Sequence, residues 1–433
     1  MAADVGTHSK AEDVNSLNVI HIAGTKGKGS TCAFTESFLR AHGRRTGYPH
    51  KTGLYTSPHL IVPEERIRIN SQPLDRTLLA KYFFELYDRL PQLHSEYDAG
   101  KEIMERGPRY LQLWALFAFH VFIREKVDAA IFETHNGGEY DATNVVQKPV
   151  VTAITTLGMD HIDMLGPSIE NIAWHKAGIY KSGAAALSTR QDTAPASVLE
   201  KRAGTRGETV KFIGEDERLP NDTLQLKPGV QRRNASLAAA AAQAFLSRTA
   251  PSEARELTIE DLEVGVKQWS WPGRFQVIPD GKRMWFLDAA HNNMSVGLAA
   301  QWFAETGRVL RGDDGGVVKV LIFSHINELR DTAGLLETLA RALLDCEADV
   351  KHVIFSTYDE STEKKATRKP NGPELFRETW QKVQPDTQIW DEPTIQGAIE
   401  RAKQLGGENG EVQTLITGSQ HLVGPALRIL KFK

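Results

Sequence analysis

Three glycines, two lysines and two hydroxyl residues are interleaved in Gly24-Thr25-Lys26-Gly27-Lys28-Gly29-Ser30. Glycines let a backbone curl so that several N–H groups face one anion, and a helix N-terminus behind them adds positive potential. In such a turn Lys28 reaches outer phosphates and the Ser30 hydroxyl holds Mg²⁺. The spacing departs from the usual G-x-x-x-x-G-K-[ST], because Gly29 follows the lysine. An ordinary glycine-rich loop is the alternative reading. The phosphate reading is favoured because strand, lysine, serine and helix fall in register. Asn18–Ala23 reads as a short buried strand, and a helix is expected from about Thr31 to His42. That helix carries Ala33, Phe34, Phe38 and Ala41 on one face and stops at Gly43, a left-handed C′ residue.

Further candidates lie where strands end, the edge at which open parallel sheets hold ligands. Glu133 closes the apolar run from Asp128, as the acid of a second nucleotide motif does. There it would bind Mg²⁺ directly or through water; a strand-end carboxylate paired with a lysine is the alternative. Ser57 follows the strand Leu54-Tyr55-Thr56, and His161 follows the strand Val150–Thr155 by way of Leu157-Gly158-Met159-Asp160. Mg²⁺ prefers oxygen, so chemistry alone does not make His161 a ligand. Lys176, in Trp174-His175-Lys176-Ala177-Gly178-Ile179, reads as a solvated lysine or as one buried near metal. Burial lowers a lysine pKa, and a neutral amine reacts with CO₂ to give an anionic carbamate. In Asp288-Ala289-Ala290-His291-Asn292 the aspartate either faces a cleft between domains or caps a helix.

Composition bounds what these residues serve. The chain has 433 residues, room for roughly two or three domains. Apolar residues make up 41 % and charged residues 25 %, and the net charge is −3, so no electrostatic footprint for nucleic acid or an acidic membrane is present. Two cysteines, Cys32 and Cys346, make no disulfide framework and point to a reducing, cytoplasmic setting. No apolar run approaches the ~20 residues of a membrane helix. Residues 1–17 are polar and expected to be mobile, without the pattern of a signal or transit peptide. Beyond them strands alternate with helices, among them Leu78–Leu90 and Tyr110–Arg124, so a mainly parallel sheet with helices on both faces is expected. Glu64–Asn70 alternates like a strand, Gly204–Leu226 reads as short strands and turns, and Asn234–Ser247 is an alanine-rich helix. Trp271-Pro272-Gly273-Arg274 is rigid punctuation, dividing a domain over 18–274 from a smaller Rossmann-like α/β domain over 275–433 without a G-x-G-x-x-G fingerprint.

The ordered set of motifs resembles the folylpolyglutamate synthase branch of the Mur ligase superfamily, in its eukaryotic form. It comprises G-T-K-G-K-G-S-T at 24–31, T-S-P-H-L at 56–60, E-R-I-R-I-N at 65–70, F-H-V-F at 119–122, D-A-T-N at 141–144 and L-G-M-D-H at 157–161. It continues with I-A-W-H-K-A-G-I at 172–179, W-P-G-R at 271–274, L-D-A-A-H-N at 287–292 and T-G-S-Q-H-L-V-G at 417–424. The resemblance implies an α/β fold: a Mur-ligase-like P-loop domain with a mainly parallel sheet, and a C-terminal Rossmann-like α/β domain that binds an amino acid. It also implies an ATP-dependent amide ligase of one-carbon metabolism. Such an enzyme phosphorylates a carboxylate of tetrahydrofolate or its polyglutamate and couples L-glutamate to it. Carried over, Gly24, Thr25, Lys26, Gly27, Lys28, Gly29 and Ser30 hold phosphates, and Asn234, Arg274 and Asp288 contact the nucleotide. Ser30, Ser57, Glu133 and His161 are ligands of two Mg²⁺ ions. Lys28, a carbamylated Lys176 and His291 take catalytic positions. Small-molecule substrates and a monomer are expected, with neither nucleic acid nor membrane as partner.

Three departures from the family pattern stand out. Family members carry several dozen residues ahead of the P-loop strand, where this sequence has about 17. The usual acid-V-G-x-G-G turn reads Glu133-Thr134-His135-Asn136-Gly137-Gly138, and the aromatic–threonine pattern of the preceding helix becomes Tyr110-Leu111-Gln112-Leu113-Trp114-Ala115. The ATP side is therefore intact and the acceptor side altered. That keeps two relatives in view, a ligase of a non-folate acid in secondary metabolism and a dihydrofolate synthase, and from another class a catalytically silent nucleotide-binding regulator. A P-loop kinase is disfavoured by the second α/β domain.

Overall fold

Strands buried on both faces of a parallel sheet are apolar throughout, and this signal marks the centre of the first sheet. The computed structural model describes residues 11–88, 90, 108–311, 316–325, 331–359, 373–406 and 410–431. The chain divides into two compact units between Ser270 and Trp271. The first unit runs α1 (Ala11–Ser16), β1 (Val19–Ala23), α2 (Lys28–Thr46), β2 (Thr52–Tyr55), β3 (Ile67–Ile69), β4 (Gln72–Pro73), α3 (Arg76–Tyr87) and α4 (Tyr110–Glu125). It continues with β5 (Ala129–Glu133), β6 (Val151–Ile154), α5 (Ile162–Leu165), α6 (Ile169–Lys176), β7 (Ala185–Thr189), α7 (Thr193–Gly204), β8 (Lys211–Ile213), α8 (Gly229–Thr249) and α9 (Ile259–Gln268).

The eight strands order as β4-β3-β2-β5-β1-β6-β7-β8. Only the β2–β3 and β3–β4 pairings are antiparallel. β1 lies between β5 and β6 with Ile22 opposite both Glu133 and Ala153, so the carboxyl ends of these strands are level. On one face α4 packs the rings of Phe119 and Phe122 on Phe132 of β5, with centroids 4.3 and 5.2 Å apart. Aromatic pairs of this kind contribute about 1 kcal/mol each beyond their area. On the other face α2 is held by α8 and α9. There Asp261 of α9 accepts from Arg45 Nη2 at 2.7 Å and pairs with the buried His42 Nδ1 at 3.0 Å. Two free cysteines are present, Cys32 buried in α2 and Cys346 half-buried. No helix among the described residues is long and apolar enough to cross a membrane.

Several boundaries differ from the sequence expectation. The segment expected to be mobile over 1–17 is helical at Ala11–Ser16, where Val14 and Leu17 join the cluster under α4; residues 1–10 lie outside the described residues. α2 starts three residues before Thr31 and does not stop at Gly43. That glycine sits inside the helix, where a Cβ would come within 2.2 Å of the Pro49 carbonyl oxygen. The left-handed C′ residue is Gly47, at φ 89°, with its N–H on the Gly43 carbonyl. α3 begins at Arg76 because Asp75 caps it through Thr77 N and Leu78 N. Glu64–Arg66 is a 3₁₀ turn rather than strand, fastened by Glu65, whose carboxylate accepts from Leu60 N at 2.8 Å.

The second unit runs β9 (Gln276–Asp280), β10 (Arg283–Leu287), α10 (Asn293–Arg311), β11 (Val317–Phe323), α11 (Thr332–Asp345), β12 (His352–Ser356), α12 (Pro373–Val383), β13 (Gln388–Glu392), α13 (Ile395–Leu405), β14 (Glu411–Thr417) and α14 (Gln420–Lys431). Its sheet orders as β13-β12-β11-β14-β10-β9, parallel except for β9. The core under it is built on Phe286, Trp302, Phe303 and Trp380.

Candidate active site

The loop from Gly24 to Gly27 can form only where two residues have no side chain. Gly24 sits at φ 148° with its Cα facing Thr155, whose Oγ1 would be 1.8 Å from a Cβ. Gly27 sits at φ 88°, and a Cβ there would meet Asn234 Oδ1 at 2.3 Å. Asn234, buried on α8, is held against the loop by donating Nδ2 to Gln231 Oε1 at 2.9 Å. Replacing Gly24 with alanine is therefore expected to weaken ADP binding roughly 10-fold to 100-fold, since an unwelcome φ alone costs about 1–3 kcal/mol. Isothermal titration with ADP measures it, and an unchanged affinity would mean that the loop does not shape the site.

The N–H groups of this turn have divided tasks. Thr25 N and Lys26 N both donate to the Thr156 carbonyl, at 3.0 and 3.2 Å, and Thr25 Oγ1 donates to the Gly158 carbonyl at 3.1 Å. The loop is thus zipped to the segment that follows β6. The first intrahelical bond of α2 is Thr31 N to the Gly27 carbonyl, so the amides of Lys28, Gly29 and Ser30 are the helix-start donors turned toward an incoming anion. Lys26 puts its ammonium 2.9 Å from Asp160 Oδ2. Its geometry is that of a brace between loop and strand end; the phosphate contact is what the family resemblance implies for it. Lys28, at the helix start, is half-exposed.

Three other strand ends reach the same edge. Glu133 is 5 % exposed and accepts Ser57 N on Oε2 at 3.1 Å. His161 is exposed, at φ 52° ahead of α5, and its N–H is taken by Asp160 Oδ1. Lys176, at the end of α6, is buried and donates to the Gly24 carbonyl at 2.8 Å. The Gly137-Gly138 turn brings it there, because a Cβ on Gly138 would come within 2.7 Å of the Lys176 carbonyl oxygen. Burial, aided by the charge of Lys28, lowers the Lys176 ammonium to about 7. Among the described residues no group of three or more His, Cys, Asp or Glu side chains is arranged to hold a metal. One buried carboxylate among hydroxyls suits Mg²⁺ instead, which keeps waters and takes its remaining oxygens from substrate phosphates.

The remaining candidates lie in the second unit. Asp288 follows β10, is 4 % exposed and accepts Phe275 N at 2.9 Å. Burial pushes its carboxyl up to about 6 against the opposing charge of Arg274. It does not cap α10; that position is filled by Asn292, whose Oδ1 accepts Ser295 N at 3.1 Å. Arg274 donates to the Gly273 carbonyl at 3.3 Å, and His291 Nδ1 lies 3.0 Å from the Ala289 carbonyl. The structure therefore gathers Ser30, Ser57, Glu133, His161, Lys176 and Asn234 around one loop in the first unit, and Arg274, Asp288 and His291 around the end of β10 in the second. Sequence reading missed Asp160 as the partner of Lys26 and the role of Asp141. The Asp141 carboxylate ties His135 N, Asn136 N and Thr143 N together at 2.8, 2.9 and 3.0 Å. An aspartate two residues before Thr143 is the signal for such a turn.

No protein-family model matches the chain. It is 38 % identical over 445 aligned residues to folylpolyglutamate synthase of Neurospora crassa, covering 97 % of this chain and 83 % of that one. Against mitochondrial folylpolyglutamate synthase of Bos taurus the identity is 39 % over 359 residues, covering 78 % of this chain and 59 % of the relative, so the aligned part is less than two thirds of that longer protein. Among solved structures, Mycobacterium tuberculosis folylpolyglutamate synthase complexed with ADP and AMPPCP superposes with a TM-score of 0.74 at 24 % identity, over 96 % of this chain and 92 % of that one; this likeness shows the Mur-ligase-type fold. Matched along nearly the whole of this chain and over 83 % of the relative, the chain belongs to the folylpolyglutamate synthase family.

Proposed function

We propose that the chain is an ATP-dependent ligase that joins L-glutamate to the carboxylate of a tetrahydrofolate or its polyglutamate. The observation that carries this reading is the chain-long 38 % identity to an enzyme of that name. The first unit serves as the ATP-binding domain and the second, from Trp271 onward, as the amino-acid-binding domain. Both cysteines are free, as suits a cytoplasmic enzyme, and a monomer is sufficient for the reaction.

The chemical difficulty is one of charge. A carboxylate must approach a γ-phosphate that is itself negative. The amides of Lys28, Gly29 and Ser30 and the ammonium of Lys28 meet the phosphate charge and hold the groups in line. Gly24 and Gly27 let the loop come that close, and Asn234 supports it from α8. The buried Glu133 carboxylate, with Ser30, Ser57 and His161 as further candidates at the same sheet edge, would hold Mg²⁺, which would supply further neutralisation of phosphate charge. Lys176, buried and with a lowered pKa, is suited to carbamylation, which would add an anionic oxygen donor to this set. Attack of the glutamate amine on the acyl phosphate then gives the amide and phosphate. In the second unit, Arg274 and Asp288 are the candidates the family resemblance gives for the nucleotide, and His291 for the reacting groups.

The test is ADP release by the pure protein with Mg-ATP and L-glutamate, with and without tetrahydrofolate, followed by the product's mass. Folate-dependent ADP with a gain of one glutamyl unit is expected. ADP release only with another carboxylate would move the reading to a non-folate ligase, and none with any acid to a silent nucleotide-binding protein.

A further inference from the structure

Beyond the register pair Tyr55–Phe132 the ladder between β2 and β5 stops, and the two chains part. Thr56 N turns to the Arg66 carbonyl on the β3 side, and Thr134 N to the Ile22 carbonyl of β1. Ser57 and Glu133 stand on these diverging ends, beyond the backbone ladder, joined by the bond from Ser57 N to Glu133 Oε2 at 3.1 Å. A second, side-chain link braces the two ends beside it. Tyr55 Oη lies 2.6 Å from His135 Nε2, and the two rings meet edge to face at 5.5 Å. His135 Nδ1 faces Asp141 Oδ1 at 3.3 Å, and both side chains are under 5 % exposed. Asp141 Oδ1 also accepts from Thr143 Oγ1 at 2.7 Å, and that hydroxyl meets His21 Nε2 of β1 at 2.8 Å. The link therefore spans β2, the turn after β5, and β1, running past the strand end that carries Glu133. Tyr55 Oη donates to Nε2, and Nδ1–H donates to the aspartate. Burial works to raise the Asp141 carboxyl, yet bonds from His135 and Thr143 hold it below the ordinary range, so it stays an acceptor. His135 is one of the positions at which the turn departs from the family pattern.

We propose that His135 is a positioning residue: by tying Tyr55 to Asp141 it holds the Glu133 carboxylate and Ser57 at the spacing a divalent cation needs. The proposal rests on the reading of Glu133 as a cation ligand. A carboxylate whose neighbours wander pays ordering entropy at the moment of binding, and partners that orient metal ligands typically matter 10-fold to 100-fold for affinity or activity.

The test is the affinity of the full chain for Mn²⁺ in the presence of ADP, read from the electron paramagnetic resonance of free Mn²⁺. Tyr55→Phe keeps the ring and removes only the hydroxyl; His135→Leu removes the link from the other side. Each should weaken Mn²⁺ binding about 10-fold, and the double variant no more than His135→Leu alone, because both break the Tyr55–His135 contact. Turnover should recover toward the parent rate at raised metal, so the change falls on the metal KM rather than on kcat. Unchanged Mn²⁺ affinity in Tyr55→Phe, or losses that multiply in the double variant, would overturn the proposal, and Tyr55→Phe decides alone if His135→Leu does not fold. Glu133→Gln separates the two levels. If it abolishes Mn²⁺ binding while Tyr55→Phe leaves it intact, only the positioning role fails; if it has no effect, the cation reading itself fails.

Discussion

Lys28→Ala is expected to lower turnover at saturating ATP by roughly 10³-fold while leaving the melting temperature nearly unchanged. The residue opens α2 at the surface and fills no core position, so its removal leaves no cavity. Its charge is nonetheless felt inside the site, because it lowers the ammonium pKa of Lys176 and opposes the rise of the buried Cys32 thiol. An ammonium so placed works against the repulsion between carboxylate and phosphoryl group, and that repulsion grows along the reaction. Removing one such preorganised charge or donor typically costs 10² to 10³ in kcat. Lys28→Arg is expected to rescue little, since a planar fork does not occupy the place of a compact ammonium. Steady-state ADP release and a thermal melt decide the matter. Wild-type turnover in Lys28→Ala would refute the assignment of the loop.

How much of this was legible in the sequence follows from which forces leave a local trace. Buried parallel strands leave a strong one: β1 and β5 are apolar runs, and the glycines and Glu133 could be placed at their ends. β7 was invisible because Ser188 and Thr189 are buried through hydrogen bonds with Gln191, so its burial does not show as hydrophobicity. β9 was missed because it is a half-exposed edge strand containing Pro279. α9 was missed although Thr258 and Asp261 form a capping box, because Asp261 is also spent on α2 through His42 and Arg45. The pairing of Lys26 with Asp160 joins residues 134 apart, and that of Tyr55 with His135 joins residues 80 apart. No periodicity reports such contacts; they exist only once the sheet order β2-β5-β1-β6 has brought the strand ends level. The site's residues were thus readable one at a time, and its bracing was not.

Lys176→Ala is the second variant expected to fail, and its failure should carry a chemical signature. The lysine is buried, reaches the Gly24 carbonyl and is lowered to about 7 by burial and by Lys28. Above that pH the amine is neutral, its lone pair forms the N–C bond with CO₂, and the displaced proton leaves to solvent. Below it the ammonium is inert. Activation by added bicarbonate should therefore be present above pH 7 and fade as pH falls through it, with native mass spectrometry showing one added CO₂ on the parent chain and none on Lys176→Ala. The variant should lose on the order of 10²-fold in activity, the size expected when a group that orients a metal site is removed, and formate or acetate should restore part of it. The same lysine has a consequence for stability that needs no chemistry. Its folded pKa of about 7 lies below the ordinary 10.5, so between those values the unfolded chain binds the extra proton. Stability must rise with pH across that window, and the penalty is full below it. Lys176→Met should flatten this slope in denaturant titrations taken from pH 7 to 10. A slope that persists in Lys176→Met would place the uncharged buried amine elsewhere and remove the ground for carbamylation.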